Sequence, residues 1–496
     1  EGRGAGDAAA RARRPARRGP IPPSEGSADG CDGRRGGPVK ALVARAVRQS
    51  LAGEELLRRV RSLWPYAWRQ PAAFWAFYRL LEETQHAAPE RLAQMQFARV
   101  REMLHWAYAR SGFYRRLYDE HGVHPRDVRT PDDFARRIPV VERAQLAAAA
   151  GLQVPLRGAV AASTSGTSGT PFAFTVDRDG NAMENAAIFH QWARAGFRPG
   201  DVRVELRGFQ REPVRRFPDH GVVRLSVVNM EAHLPEMVAL LNRMRVRFLH
   251  GYPSAIAKLA LLMRDRGLRL ERPPRGVLLA SENVFDWQTE LIDEVIAPRT
   301  LMAHYGQAEK VVLGAWCEHR RAYHFLPLYG MLETGPSGEV VGTGLVNRAT
   351  PVIRYRLSDV LVGRTEAPCP ACGRGLTPVV ERVAGRLEDY LVNDRGELIP
   401  PAVVTFPFKT LRFIRAAQVV QEADRSIVLR CVQSPGPADE VEAERAGLRE
   451  NFRRMLGDGI RVGFEAVDAL PLTGAGKLRW IVSEAARSVL SQSSSA

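Results

Sequence analysis

The stretch "VRFLHGYPSAIAKLALLMRDRGLRLERPPRGVLLAS", Val246 to Ser281, carries the alternation that decides the fold. "VRFLHGYP" and "RGVLLAS" are short apolar runs bounded by Gly, Pro and Ser, and they read as buried strands. Between them "SAIAKLALLMRDRG" reads as a helix. Upstream, "VRVELRGF" and "VVRLSVV" read as further strands and "EMVALLNRMR" as a helix. Strands alternating with helices predict an α/β architecture with largely parallel sheets. After about Gly330 the chain becomes strand- and turn-rich, as in "GEVVGTGL" and "PVIRYRLSDVLVG". A last α/β-like module spans roughly Leu387 to Leu490; in it "LVNDRGELIPPAVV" reads as strand, Asp-Arg-Gly turn, strand, and "QSPGPADEVEAERAG" as a turn into a helix.

Composition bounds the function classes. Residues 1–38 are rich in Gly, Ala, Arg and Pro, with too little apolar surface to offset ordering entropy, so a disordered basic tail is expected. From Val39 to Gly122 the pattern is helical. Within it, "WPYAWRQPAAFWAFYRLL" is dense in aromatics and is expected to dock on its own domain rather than on a membrane surface. No run of about 18 apolar residues supports a transmembrane segment, and the first residues lack the apolar region of a secretory signal. A cytoplasmic protein is expected, monomeric or homodimeric. The net charge is +16, but of 71 basic residues only five are lysine, and the arginines are scattered without a stripe interleaved with aromatics. That pattern suits a small polyanion such as ATP or coenzyme A better than nucleic acid, and no specific nucleic-acid partner is expected. It also makes Lys477 conspicuous, since an ammonium and a guanidinium do not substitute at a precise site.

"STSGTSGTP", Ser163 to Pro171, lies between the strand-like "GAVAA" and "FAFTVDRDG". Gly166 and Gly169 allow tight backbone turns, and Ser163, Thr164, Ser165, Thr167 and Ser168 offer hydroxyls that would ring an anion. Alone, it is equally well a polar hairpin turn. Further on come "HYGQAEK" (304–310), "PVIRYRLSD" (351–359), "VAGRLEDYL" (383–391) and "PLTGAGKLRW" (471–480). Five such stretches in this order resemble the adenylate-forming superfamily. "YARSGFYRRLYDEHG", "IPVVERAQL", "HGYPSAIAKLA" and "GTGLVNRATPVIRYRLSD" look like its phenylacetate–CoA ligase branch, and within it the capsular-polysaccharide-type adenylating proteins. The resemblance covers roughly residues 95–485.

The resemblance implies a large N-terminal adenylating domain (39–385) of mixed sheets plus helices, followed by a small mobile α+β lid domain (386–496). It implies activation of a carboxylic acid by ATP and Mg²⁺ to an acyl-adenylate and pyrophosphate, then acyl transfer to an amine, thiol or coenzyme A. Such chemistry asks the protein mainly for positioning and electrostatic stabilisation. In that scheme Ser163, Thr164, Ser165, Gly166, Thr167, Ser168, Gly169 and Thr170 hold the departing phosphates, and Lys477 contacts the carboxylate and the α-phosphate. Glu309 organises Mg²⁺, while Tyr305 and Gly306 border the adenine. Asp359 accepts from the ribose hydroxyls, Arg386 approaches the nucleotide, and Ser281 and Glu282 fall on the adenine-side loop. Glu388 is the hinge, and the acyl pocket comes from 205–230 and 248–283.

Each residue also has a plainer reading: Asp359 paired with Arg354 or Arg356, Glu309 solvated beside Lys310, Tyr305 in the core. Four positions depart from the family: Thr170 where relatives often carry Lys, Ala308 for Thr, Ser358 for Gly, and Glu388 for Asp. The missing loop lysine and Ala308 argue for an alternative reading, a catalytically weakened nucleotide- or acyl-binding protein on the same fold, while the retained Lys477, Glu309 and Asp359 argue against it. The glycine of the segment after the hinge is also displaced, which puts coenzyme A as acceptor in question.

"CPACG" (369–373) is a tight knuckle that turns two sulfurs toward one point, and Cys317 lies upstream in "WCEHRRAYHF". Zinc takes four ligands, commonly three Cys and one His. His319 and His324 are both candidates for the fourth; Cys317-x-His319 is tight for chelation. The resemblance implies a structural zinc on Cys317, His324, Cys369 and Cys372, closed and therefore not catalytic.

Overall fold

The computed structural model describes residues 58–486 apart from 164–171, 208–211, 228–229, 337, 387–388, 400, 402–403, 405–406, 409–410 and 472–477. Three helices open the described chain: α1 (Ala72–Thr84), α2 (Pro89–Arg110) and α3 (Gly112–Glu120). A hairpin follows, β1 (Val160–Ser163) with β2 (Ala173–Val176) and then α4 (Arg178–Trp192). Next come β3 (Arg203–Leu206), β4 (Val214–Phe217), β5 (Val222–Leu225), α5 (Leu234–Arg243), β6 (Phe248–Gly251), α6 (Pro253–Asp265), β7 (Gly276–Ala280), α7 (Asp286–Val295) and β8 (Thr300–Gly306). A strand-rich segment then supplies β9 (Leu313–Cys317), β10 (Arg320–Phe325), β11 (Gly330–Thr334), β12 (Glu339–Gly344), β13 (Tyr355–Thr365) and β14 (Val379–Arg386). The last module holds β15 (Leu391–Val392), β16 (Leu398–Ile399), β17 (Ile414–Gln421), β18 (Ile427–Gln433), α8 (Ala438–Leu456), β19 (Val462–Ala466) and β20 (Ile481–Ser483).

Strands β3 to β14 form one sheet in the order β11-β12-β13-β14-β10-β9-β8-β7-β6-β3-β5-β4. The opening stretch builds its centre as read. Every residue of β6 and β7 is buried, which is why those strands read as apolar runs rather than alternations. Ile256, Leu259, Ala260 and Met263 line the buried face of α6 at helical spacing, and Pro253 opens it without losing a hydrogen bond. Gly251 is required where β6 turns into α6, because a Cβ there would stand 2.5 Å from the Leu206 carbonyl oxygen.

The expectation of largely parallel strands holds for one half only. Strands β5, β3, β6, β7 and β8 run parallel to one another, but β9 to β14 are all antiparallel to their neighbours. The physical reason is loop length: β8 to β9 and β9 to β10 are joined by short connections, which close hairpins but not parallel crossovers. Strand β8 is therefore the switch between the halves. The final module folds as a separate four-stranded sheet, β19-β18-β17-β20, under α8. Its "LVNDRG" turn forms as read, with Asn393 Oδ1 accepting from the Arg395 and Glu397 amides at 3.0 and 2.8 Å.

The aromatic segment docks only in part. Phe74, Phe77 and Leu81 on α1 are buried against α4, with Phe74 edge-on to Phe189 at 5.8 Å. Leu63, Trp64 and Trp68 remain exposed. Fully burying a Phe contributes roughly 1.5–3 kcal/mol, so the aromatic segment is anchored by its second half, which lies in α1.

Candidate active site

A cavity of about 2220 Å³ opens at the carboxyl ends of the parallel strands, between the sheet, α4, the β1–β2 hairpin and the last module. Ligands of α/β sheets bind at this edge, beside a switch in strand order. Its wall is built in strand order. Tyr305 and Gly306 end β8, Ser281 and Glu282 follow β7, Tyr252 follows β6, and Arg207 follows β3.

On the antiparallel side, Asp359 on β13 stands directly across from Arg386 on β14, although 27 positions separate them. Tyr305 Oη donates to Asp359 Oδ2 at 2.7 Å, so the tyrosine and the acid are one unit. The plainer pairing of Asp359 does not form: Arg354 makes a two-pronged bond to Glu333, and Arg356 pairs with Glu339 and Glu142. Glu309 is buried at 5% exposure on the cavity wall rather than solvated, and Lys310 turns away to an ion pair with Glu184. Glu184 also accepts from Tyr329 Oη at 3.2 Å. Lys310 reaches that position through a left-handed backbone, φ 61°. Burial, then Glu309 and Asp359 beside it, push the Tyr355 hydroxyl well above its ordinary range, against the lowering effect of Arg143. A buried carboxylate on this wall is a hard oxygen donor of the kind Mg²⁺ takes.

Ser281 also has a left-handed backbone, φ 71°, which bends the chain out of β7 at the cavity rim. Glu282 Oε2 accepts from the Ser254 amide at 3.1 Å, so this carboxylate caps the first turn of α6. Ser163 ends β1 in register with Ala173 and lines the cavity. The strand–loop–strand reading of "STSGTSGTP" thus holds at both ends. Thr164, Ser165, Gly166, Thr167, Ser168, Gly169 and Thr170 lie outside the described residues, as do Glu388 and Lys477. Leu478, Arg479 and Trp480, which follow Lys477, line the cavity. Arg479 pairs with Asp389 at 2.8 Å, and Trp480 stands edge-on to Trp287 at 5.3 Å.

At the other end of the cavity, within the ranges 205–230 and 248–283 expected to hold the acyl group, lie charged residues that the sequence reading did not single out. Glu205 accepts from Arg203 at 3.1 Å and from Arg224 at 2.8 Å. Burial would raise its carboxyl, but Arg203 and its neighbours hold it down to about 2. Arg203, Glu205 and Arg207 alternate along β3 and its end. Three charges at a period of two in an otherwise apolar strand were the signal available.

Away from the cavity, Cys317, His324, Cys369 and Cys372 bring four ligand atoms within 4.8 Å of one another. Cys317 ends β9, His324 lies on β10, and the knuckle joins β13 to β14, closed by the Gly373 amide on the Cys369 carbonyl at 3.2 Å. His324 Nδ1 meets the Leu376 carbonyl at 3.3 Å, and Nε2 lies 3.8 Å from Cys372 Sγ. A carbonyl accepts only, so Nδ1 carries the proton and Nε2 is left as a ligand, the usual outer support of a metal-bound histidine. His319 is exposed and takes no part. Three thiols and one supported imidazole fit a closed tetrahedral site.

Residues 391–484 match the model of the CapK C-terminal domain. The chain is 27% identical over 404 residues to a phenylacetate-coenzyme A ligase of Thermus thermophilus, covering 77% of this chain and 86% of the relative. It is 23% identical over 366 residues to a phenylacetate-coenzyme A ligase of Aromatoleum evansii, covering 70% and 81%. A crystal structure of 2-hydroxyisobutyryl-CoA ligase in the postadenylation state superimposes with a TM-score of 0.61 at 20% identity, covering 83% of this chain and 94% of that one. The fold is that of the adenylate-forming ligases. The last module matches the CapK C-terminal model, and over most of its length the chain is similar to phenylacetate–CoA ligases.

Proposed function

We propose that the chain is an ATP-dependent ligase that activates a carboxylic acid as its acyl-adenylate and passes the acyl group to a thiol. The observation that carries this reading is the Tyr305–Asp359 hydrogen bond at the end of β8, with buried Glu309 on the same wall of a cavity large enough for a nucleotide and an acid. A carboxylate oxygen attacks the α-phosphorus, the bond to the β-phosphate breaks, and pyrophosphate leaves with the electron pair. The thiol sulfur then attacks the acyl carbon, AMP leaves with the carbon–oxygen bonding pair, and the thiol proton passes to solvent.

In this reading Asp359 accepts from the ribose hydroxyls, with Tyr305 held beside it to flank the adenine. Arg386 enters from the facing strand, and residues 163–170 receive the leaving phosphates. Lys477 bridges carboxylate and α-phosphate, bringing the charge that Thr170 lacks. Glu309 holds Mg²⁺, which when bound draws negative charge from the phosphate oxygens. The module from 386 to 496 turns about Glu388 as a lid between the two half-reactions, and Cys317, His324, Cys369 and Cys372 hold a structural zinc. Coenzyme A is the thiol favoured by the names of the two curated relatives.

The test is carboxylate-dependent ATP–pyrophosphate exchange over a panel of aryl and aliphatic acids, followed by product analysis with coenzyme A. Exchange that collapses in Lys477→Ala supports the reading. Tight nucleotide binding with no exchange for any acid would replace it with the alternative of a binding protein.

A further inference from the structure

The acyl end of the cavity carries a cationic side chain that makes no direct ion pair among the described residues. Arg207 Nη1 lies 3.0 Å from His250 Nε2, and His250 Nδ1 lies 2.7 Å from the Leu278 carbonyl. The carbonyl only accepts, so Nδ1 bears the proton. Burial, with Arg207 next to it, holds the imidazole neutral. Nε2 is therefore an acceptor, and it fixes the guanidinium in place without neutralising it. The Tyr252 ring packs 5.8 Å from Arg207 Cζ. The neighbouring carboxylate is already committed, since both Glu205 oxygens are taken by Arg203 and Arg224. Among the described residues no carboxylate lies within ion-pair distance of Arg207, so three guanidiniums share one acid.

This corner is part of the cavity wall. Arg203, Arg207, Tyr252, His304, Ile188 and Phe189 all line it. It is also distant from the nucleotide corner: Arg207 follows β3, Tyr305 ends β8, and β6 and β7 lie between. Three strand spacings make about 14 Å, the span of a short acid rather than of a phosphate contact. A guanidinium held in a half-buried, aromatic-walled pocket, with no carboxylate bonded to it among the described residues, favours a ligand that brings one.

Resting on the adenylation reading, we infer that Arg207 selects an acid substrate with a second, distal anionic group, in the simplest case a dicarboxylate. The substrate's reacting carboxylate faces Tyr305 and Glu309, and its far carboxylate takes a two-pronged bond from Arg207.

The experiment compares ATP–pyrophosphate exchange for matched pairs: hexanoate with adipate, pentanoate with glutarate, and phenylacetate with 4-carboxyphenylacetate. Wild type is expected to favour at least one diacid over its monoacid by about tenfold or more in kcat/KM, chiefly through KM. Arg207→Met should erase that preference, lowering kcat/KM for the diacid by about tenfold more than for its monoacid, while Arg207→Lys retains part of it. Equal use of both members of every pair by wild type would overturn the inference while leaving adenylation intact. So would an equal loss for both acids in Arg207→Met with a raised KM for ATP, which would make Arg207 a phosphate contact. Absence of exchange with every acid overturns the adenylation reading, and this inference falls with it.

Discussion

The two ends of the cavity are built on opposite electrostatic plans. At the end of β8 the functional groups are acids: Asp359, locked to Tyr305, and Glu309, buried on the wall. At the end of β3 three arginines surround one glutamate. The acid end suits hydroxyl donors and a cation, and the basic end suits an anion. Under the proposed function, the difference would sort a two-part ligand along one sheet edge: nucleotide sugar and metal to one side, acyl tail to the other. It also locates the two kinds of failure, loss of the chemistry at β8 and loss of selectivity at β3.

The largest effect is expected at the acid end. Glu309→Gln should lower the exchange rate by about 1,000-fold, the scale of removing one transition-state electrostatic contact or its metal, with little change in acid preference. A drop below tenfold would move the metal site elsewhere. Asp359→Ala comes next, with a loss of about 100-fold expressed mainly in KM for ATP, since two hydrogen bonds to a charged acceptor disappear. An unchanged KM for ATP would show that Asp359 does not meet the ribose.

The metal cluster is the control for both ends, because none of its residues lines the cavity. Cys369→Ser should release the metal, lower the thermal midpoint by about 5 °C or more, and leave acid selectivity untouched. Purified protein with no bound zinc and an unaltered midpoint in the variant would reduce the cluster to a set of thiols.

At the basic end, Glu205→Gln probes stability against pH. The folded carboxyl sits at about 2 against an ordinary 4.5, so its contribution is present above about 4.5 and is lost as pH falls toward 2. The variant should be less stable than wild type by about 3 kcal/mol at pH 7 in urea unfolding, and the gap should narrow steadily below pH 4.5. A gap that stays constant down to pH 3 would contradict the ion-pair account. Tyr305→Phe should have the smallest effect, about three- to tenfold in KM for ATP, because it loosens Asp359 without removing it.

The same contrast explains how much could be read from the sequence. The acid end was legible because each residue sits in a short stretch of marked composition, Tyr305 and Glu309 in "HYGQAEK" and Asp359 in "PVIRYRLSD". His324 entered the candidate cluster through the resemblance, with Cys317-x-His319 tight for chelation; the structure groups His324 with the three cysteines and leaves His319 in solvent. The basic end was not legible residue by residue. Arg207 and His250 meet only because β3 and β6 are neighbours in the sheet, while 43 positions separate them in the chain. Asp359 facing Arg386 is likewise a matter of register, not of spacing. The mixed sheet was expected, but where it turns antiparallel, at β8, was not legible, because apolar runs reveal buried strands while connection length decides their direction.

One measurement reaches the central claim directly. The acid is supplied with isotopically heavy oxygen in its carboxylate, and AMP, pyrophosphate and any phosphate released are analysed by mass spectrometry after acyl transfer. Attack of the carboxylate on the α-phosphorus predicts one heavy oxygen in each AMP and none in pyrophosphate. Heavy oxygen appearing in inorganic phosphate, with ADP in place of AMP, would contradict the account.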